Sequence, residues 1–395
     1  MDKPLYPCKP IGSIDVLAKT LGVHPTKLID IASQVNNSYT SYQLPAHPVT
    51  GKERTVLEPK YELKKIQKRI NSRIFEQVQF PSYLQGGLKA SHSIKRDYVQ
   101  NATIHSHSQT LINLDVKNFY PNIKTEAVSN IFKYFFNFSD DVVSILIKLT
   151  TYHGSIPQGG CTSSYLANLV LFNSEYKLVS SLRGKNVRYS RLLDDITISS
   201  KTKLDPKFIE KTIKDVAALL KKQKLSLRSQ KTKITDRAEI HKEFEVTGLW
   251  VRPSQPQVRK KDRRYIRQLV FNCEQKSKTD KTSDEFHKLW NQTSGQVTIL
   301  ERLKHSQASD YRQRLAKIYP EYDQYQENKL IRKIKAALKV PISEHHQLGT
   351  IKRYNGLIYQ LGILSRTKKT LSKNFRRTLK AHYSTVPTLN NFWNK

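Results

Sequence analysis

Three aspartates stand where two-metal chemistry would need them. Asp194 and Asp195 are adjacent in YSRLLDDITIS, and Asp115 ends the apolar run TLINLD. Adjacent carboxylates repel one another, and a buried ionised carboxylate needs a counter-charge. A bare Asp-Asp pair is most often a solvated turn. One strand-terminal aspartate plus a pair at a hairpin tip instead offers hard oxygen ligands to Mg²⁺, which one or two carboxylates and substrate phosphates usually hold. Two such ions, roughly 3.5–4 Å apart, can activate a 3′-hydroxyl and stabilise a pyrophosphate leaving group. Their charge would offset the repulsion between the carboxylates.

A third segment adds to the pattern. IPQGGCTSSYLANL (156–169) is a glycine turn leading into a helix that begins with small hydroxyl residues. Glycine lets a substrate approach the backbone closely, and the Gln158 amide could meet a nucleotide or template base.

The elements that must position these residues follow from periodicity. Residues 13–36 read as a small helical module broken near GVHPTK. LPAHPVTGKERTVLEP reads as a loop entering a short strand. Residues 60–79 read as a helix with Leu63, Ile66, Ile70 and Ile74 on one face. Lys64, Lys65, Lys68, Arg69 and Arg73 crowd the others, either solvated or laid along phosphates. TLINLDV is a buried-type strand, and 125–151 and 163–182 read as helices. VRYSRLLDDITIS predicts two strands around a tight turn with the aspartates at its tip. PKFIEKTIKDVAALLKKQKL is a strongly periodic helix and EFEVTGLWV a strand. This order points to an α+β domain built on an antiparallel sheet.

Composition narrows the partners. The 395 residues carry 68 Lys and Arg against 33 Asp and Glu, a formal charge of +35. Such a surface attracts polyanions, of which nucleic acid is the commonest in a cell. A membrane partner is disfavoured, because no apolar run approaches the roughly 18 residues that a span needs. The N-terminal segment has no basic-then-apolar export pattern. Cys8, Cys161 and Cys273 lie far apart, without metal or disulfide spacing, as in a reduced, cytoplasmic protein. After residue 251 the chain turns intensely basic, with Arg259, Lys260, Lys261, Arg263 and Arg264 in one short run. Beyond Glu344 it has no acidic residue, while aromatics recur at Tyr354, Tyr359, Phe375, Tyr383, Phe392 and Trp393.

Taken in order, LDVKNFYPNI, PQGGCTSSYLANL, YSRLLDD, LSLRSQKT and VTGLWV resemble the successive palm motifs of reverse transcriptases. RTVLEP and LKKIQKRI resemble that family's fingers. NATIH (101–105) and VTG (246–248) resemble elements of the bacterial retron-type group. The likeness runs from about residue 13 to residue 330.

The resemblance implies an α+β right-hand polymerase with fingers, a palm of antiparallel sheet plus helices, and a helical thumb. Its parts would be a helical module at 1–50, fingers at 51–110 and a palm at 111–251 with finger helices inserted at about 124–155. A basic thumb at 252–340 would read RNA, and a basic aromatic extension would follow at 341–395. Asp115, Asp194 and Asp195 would be the catalytic metal ligands for two Mg²⁺ ions. Tyr120 would gate against the ribonucleotide 2′-hydroxyl. Arg54, Gln158, Gly159 and Lys231 would surround the incoming dNTP. Arg54 would lie on the triphosphate, which a guanidinium matches in bidentate fashion, and Lys231 on the leaving pyrophosphate. Taken alone, Arg54 reads as a surface arginine and Lys231 as a solvated helix-end lysine. Asn101, His105 and the run from Arg259 to Arg264 would contact RNA or DNA, with Asn101 and His105 organising the fingers–palm junction as the other reading.

The partners implied are a cognate noncoding RNA, its branched RNA–DNA product and an effector protein encoded alongside, in a bacterial cytoplasmic anti-phage system. Alternatives are an intron maturase, a protein-primed defence polymerase, or a scaffold that holds an effector inactive on an RNA–DNA hybrid. Three positions depart from the family pattern. Leu192 replaces the usual tyrosine before the aspartate pair, Arg228 stands where asparagine is common, and Ser164 takes a usual proline position.

Overall fold

The computed structural model describes residues 2–45, 53–90, 95–239 and 241–394. The chain divides into two compact units, Met1–Pro256 and Gln257–Trp393. All three cysteines are free thiols. No helix among the described residues is long and apolar enough to cross a membrane.

The first unit is organised by a five-stranded sheet. The strands are β1 Tyr39–Leu44, β2 Arg54–Pro59, β3 Leu84–Gln85, β4 Thr110–Asp115, β5 Val187–Leu192, β6 Asp195–Ser200, β7 Lys233–Asp236, β8 Glu245–Val246 and β9 Leu249–Val251. The sheet order is β3-β5-β6-β4-β7, antiparallel except for the β3–β5 pair. Side chains opposite one another in an antiparallel pair share a face, so the register divides the sheet. One face carries Ile112, Leu114, Tyr189, Arg191, Ile196 and Ile198. The other carries Asn113, Asp115, Ser190, Asp195, Thr197 and Ser199. The apolar face joins the main core with Leu166, Leu169, Val179 and Leu182 of the helices Ser163–Leu169 and Glu175–Arg183. The polar face is left to chemistry and to buried hydrogen bonds.

Several elements are shorter than their periodicity predicts. The stretch 125–151 is two α-helices, Thr125–Asn130 and Asp140–Thr150, separated by a π-helical turn and by Asn137 at φ +55°. Phe132, Phe136 and Phe138 turn inward there against Phe75 and Tyr6, so aromatic packing overrides helix continuity. The stretch 163–182 breaks after Leu169 and restarts at Glu175, which points into the core. The helix expected over 60–79 ends at Arg73, and a short 3₁₀ turn places Phe75 fully inside.

Two of that helix's basic residues face inward. Arg69 Nη1 donates to the carbonyls of Leu21 and Gly22, and Arg73 Nη1 to that of Thr20. These arginines satisfy the orphan C-terminal carbonyls of the helix Ile14–Leu21, so neither is laid along a phosphate backbone. β1, absent from the sequence reading, pairs with β2 as an antiparallel ribbon; the loop between them lies largely outside the described residues. EFEVTGLWV is a hairpin and not one strand: Val246 pairs with Leu249 around Thr247 (φ +46°) and Gly248 (φ +80°). Positive φ at both central residues makes a type I′ turn.

The second unit is helical. Lys260–Thr279, Asp284–Arg302 and Ala308–Ala316 pack on one another. Gln324–Ala337, Leu348–Leu364 and Lys369–His382 share a core of Leu330, Ile334, Ala337, Leu357, Leu361, Leu364, Leu379 and Tyr383. That core runs across residue 340, where the sequence reading placed the edge of a separate extension.

Candidate active site

The three aspartates meet at one end of the sheet. Asp115, last in β4, lies directly opposite Asp195, first in β6, and Val116 N donates to the Asp194 carbonyl at 2.9 Å. Leu193 and Asp194 form the two-residue turn between β5 and β6, with Leu193 at φ +59°. Leucine in the left-handed region is strained, a cost typically found at functional turns. The turn rests on Gly86 (φ +77°), where an added Cβ would come within 2.9 Å of Leu192 Cδ1. Leu192 thus packs on glycine backbone.

Electrostatics at this end are unbalanced. Burial, together with repulsion from Asp115, pushes the Asp194 carboxyl above its ordinary value, while Lys231 and Arg54 pull it back. Burial, Asp194 and Asp115 push Asp195 up to about 6. Asp115 is buried; its Oδ2 accepts from Lys231 Nζ at 2.7 Å. Its Oδ1 has no hydrogen-bond partner, although Arg228 Nε lies 3.5 Å away. Arg228 N also donates to the Asp115 carbonyl, and Lys117 N to that of Ser226, so the segment carrying Arg228 is laced to the end of β4.

An oxygen-only donor set, mutual repulsion and an unpartnered buried carboxylate oxygen fit a hard divalent cation. No group of three His, Cys, Asp or Glu side chains among the described residues forms a preformed cage. Substrate phosphates commonly complete the coordination sphere of Mg²⁺.

The other anticipated residues separate into two sets. Tyr120 is half-buried and faces the pair: burial and the Asp194 charge push its hydroxyl up to about 12, so it stays neutral. Arg54, at the start of β2, is exposed and acts electrostatically on Asp194. Gln158 is tied to β2 through its carbonyl, which accepts from Leu57 N at 2.8 Å. Gly159 (φ +114°) is there for that packing, because a Cβ would strike the Leu57 carbonyl at 2.7 Å. The close approach of β2 thus gives Gly159 a packing reason, beside the substrate approach expected from the sequence.

Asn101 and His105 do not reach solvent. Both are fully buried beneath the polar face of the sheet. His105 Nδ1 is 2.8 Å from Ser199 Oγ and Nε2 is 2.7 Å from Ser190 Oγ, while Ser190 Oγ donates to Asn101 Oδ1 at 2.6 Å. With the Ser190 proton committed to Asn101, His105 Nε2 carries hydrogen and Nδ1 accepts from Ser199. Burial and Arg188 push the imidazole down to about 3, so it is neutral. Contact of Asn101 or His105 with nucleic acid is thereby corrected: both clamp the helix Tyr98–Ile104 to β5 and β6. Thr247 Oγ1 donates to the Tyr98 carbonyl at 3.2 Å, so NATIH and VTG, distant in sequence, meet on this face.

The basic run opens the helix Lys260–Thr279. Lys260, Lys261 and Arg264 are exposed, whereas Arg259 pairs with Asp262 at 2.7 Å and Arg263 is half-buried.

Sequence reasoning missed Arg191. Its guanidinium is fully buried and bonded to both Glu175 oxygens (2.6 and 2.8 Å) and to the carbonyls of Ala167, Asn168 and Leu193. It ties two helices to the aspartate turn from the core face. The available signal was an arginine at an inward position of β5, in alternation with Val187 and Tyr189.

Residues 44–266 match the family described as "Reverse transcriptase (RNA-dependent DNA polymerase)". The chain is 40% identical to the Retron Se72 reverse transcriptase of Salmonella heidelberg (strain 579083-10), over 96% of this chain and 99% of that one. It is 31% identical to the Retron Ec48 reverse transcriptase of Escherichia coli, over 79% and 77% respectively. The Retron Ec86 reverse transcriptase of Escherichia coli is 27% identical over 50% of this chain and 58% of its own.

Proposed function

The chain belongs to the retron-type reverse transcriptases and is an RNA-directed DNA polymerase of a family that uses divalent metal, and from that premise we propose how its own residues divide the work. Asp115, Asp194 and Asp195 would hold two Mg²⁺ ions together with the triphosphate of a dNTP. When bound, such ions polarise the attacking 3′-hydroxyl and neutralise the leaving pyrophosphate. The observation that carries this reading is the pairing of Asp115 with Asp195 beside the Asp194 turn.

Arg54 would take the triphosphate with its planar fork of donors. Lys231, now on Asp115 Oδ2, would transfer to the pyrophosphate once metal charge compensates that carboxylate. Neutral Tyr120 would stand where a 2′-hydroxyl must be excluded. Gln158 and Gly159 would border the nascent base pair. Lys260, Lys261 and Arg264 would follow phosphates of an RNA–DNA duplex, with Arg259 and Arg263 supporting that helix end.

The template would be a cognate noncoding RNA, and the product a single-stranded DNA covalently joined to it. This would take place in a bacterial cytoplasm as part of an anti-phage system with an effector encoded alongside. Primer extension on an RNA template with dNTPs and Mg²⁺ tests the assignment: the wild type extends, and Asp115→Asn, Asp194→Asn and Asp195→Asn each abolish extension while the fold persists. Extension that survives any of these changes removes that residue from the site.

A further inference from the structure

At the far end of the β5–β6 hairpin lies a cavity of about 1050 Å³ that the polymerase chemistry does not use. Asn186–Tyr189 line it at the start of β5, with Ser200–Thr202 at the end of β6. The aspartate turn is at the opposite end of both strands, on the order of 20 Å from Asn186 at about 3.3 Å per residue, although the lining extends along β5 as far as Gln85, which pairs with Leu192. Ile104, Val179, Tyr83 and Tyr189 give the cavity apolar and aromatic lining.

The walls carry four cations, Lys95, Arg183, Arg188 and Lys201, and no lining residue is acidic. Arg183 is already paired with Asp2. Arg188 is half-buried and fixed by the carbonyls of Ile104 and Ser106, yet it has no ion-pair partner among the described residues. Neither Lys95 nor Lys201 has one among them either. A half-buried guanidinium held by two carbonyls and two lysines without ion-pair partners among the described residues, all in one lining, can receive an anion. Gln85, also lining the cavity, leaves its buried Oε1 unpartnered while Nε2 donates to the Ser82 carbonyl. An acceptor of that kind suits an exocyclic amine.

We propose that this cavity is a second nucleotide site, which takes a phosphorylated nucleoside with an unstacked base outside the polymerase centre. The phosphate would meet Arg188, Lys95 and Lys201, and the base would lie against the apolar lining towards Gln85. The volume is at the upper end of ordinary small-ligand pockets and accepts one or two nucleotides but no duplex. A free nucleotide and an unpaired nucleotide of a strand offer the same chemistry.

The test uses the full chain carrying Asp194→Asn and Asp195→Asn, in chelator, so that metal-dependent binding at the polymerase centre is silent. Two probes are titrated by calorimetry: ADP, and a single-stranded tetranucleotide RNA. Saturable binding of at least one is expected, weakened at least ten-fold by Lys95→Glu with Lys201→Glu. Arg188→Gln should weaken it as well, and the two surface lysine changes keep the test valid if the arginine variant does not fold. Tighter binding of ADP identifies a free nucleotide as the ligand; tighter binding of the tetranucleotide identifies a strand. Three results overturn the proposal: no saturable binding of either probe, binding indifferent to the lysine reversals, or binding abolished by Arg54→Ala instead, which would put the ligand at the polymerase centre.

Discussion

Replacing Arg191 by methionine isolates what holds the aspartate turn in place. The change removes a guanidinium that donates to both Glu175 oxygens and to three main-chain carbonyls, one of them that of Leu193 in the turn. Glu175 is 1% exposed and would keep only the Tyr189 hydroxyl, at 2.7 Å, as a donor. Breaking a buried pair from one side leaves an uncompensated charge and costs about 3–5 kcal/mol. At roughly 2–4 °C per kcal/mol for a unit of this size, the melting temperature should fall by about 6–20 °C. Adding Glu175→Leu removes the stranded charge and should restore most of that loss, because apolar replacement of a whole buried pair is often neutral. Tyr189→Phe in the same background removes the last unmatched donor, which is worth about 1–3 kcal/mol. Primer extension at a temperature where all variants are folded should stay depressed throughout the series, since none restores the tether to Leu193. Calorimetric melting and extension rates together decide the matter. A single variant melting within 2 °C of wild type, or a double variant no more stable than the single, would refute the reasoning.

Four further outcomes follow. His105→Leu should lower stability by about 1–3 kcal/mol, by leaving the buried Ser199 hydroxyl without its acceptor and the Ser190 oxygen without its donor; its RNA affinity, measured by filter binding at fixed salt, should remain within two-fold of wild type. In metal-free protein the raised carboxyl of Asp195 binds a proton in the fold that the unfolded chain has released. Its contribution to stability should therefore fall as pH rises from about 4 to about 6 and level above, by on the order of 1–3 kcal/mol, against the opposing rise contributed by buried, neutral His105. Asp195→Asn should remove that contribution in pH-dependent melts, so that the variant melts above wild type at pH 7.5 and level with it at pH 4. Tyr120→Ala should permit incorporation of ribonucleotides in single-nucleotide extension, while Tyr120→Phe should still exclude them.

Much of the sheet was legible because strands announce themselves locally. TLINLD and the two arms of VRYSRLLDDITIS are short β-rich runs, and their register follows once the turn is placed at Leu193–Asp194. The meeting of Asp115 with Asp195 was legible only through the order of motifs, since the spacing of residues along the chain does not fix strand neighbours. Helix lengths were less legible. The break at Phe136–Phe138 comes from aromatic packing against Phe75 and Tyr6, residues far away in sequence. Arg69 and Arg73 looked like surface cations because their partners are main-chain carbonyls, which carry no sequence signature. His105 was misread as a possible nucleic-acid contact for a similar reason: its partners, Ser190 and Ser199, alternate inconspicuously along two strands.

The most direct measurement isolates the protein from cells expressing its native locus and asks whether the nucleic acid that copurifies contains DNA joined covalently to RNA. The account predicts such a conjugate with wild-type protein, sensitive to both ribonuclease and deoxyribonuclease. It predicts none with the Asp194→Asn, Asp195→Asn protein, although RNA should still copurify. DNA–RNA conjugate at wild-type levels with the double variant would contradict the assignment of the sheet-end carboxylates as the centre of synthesis.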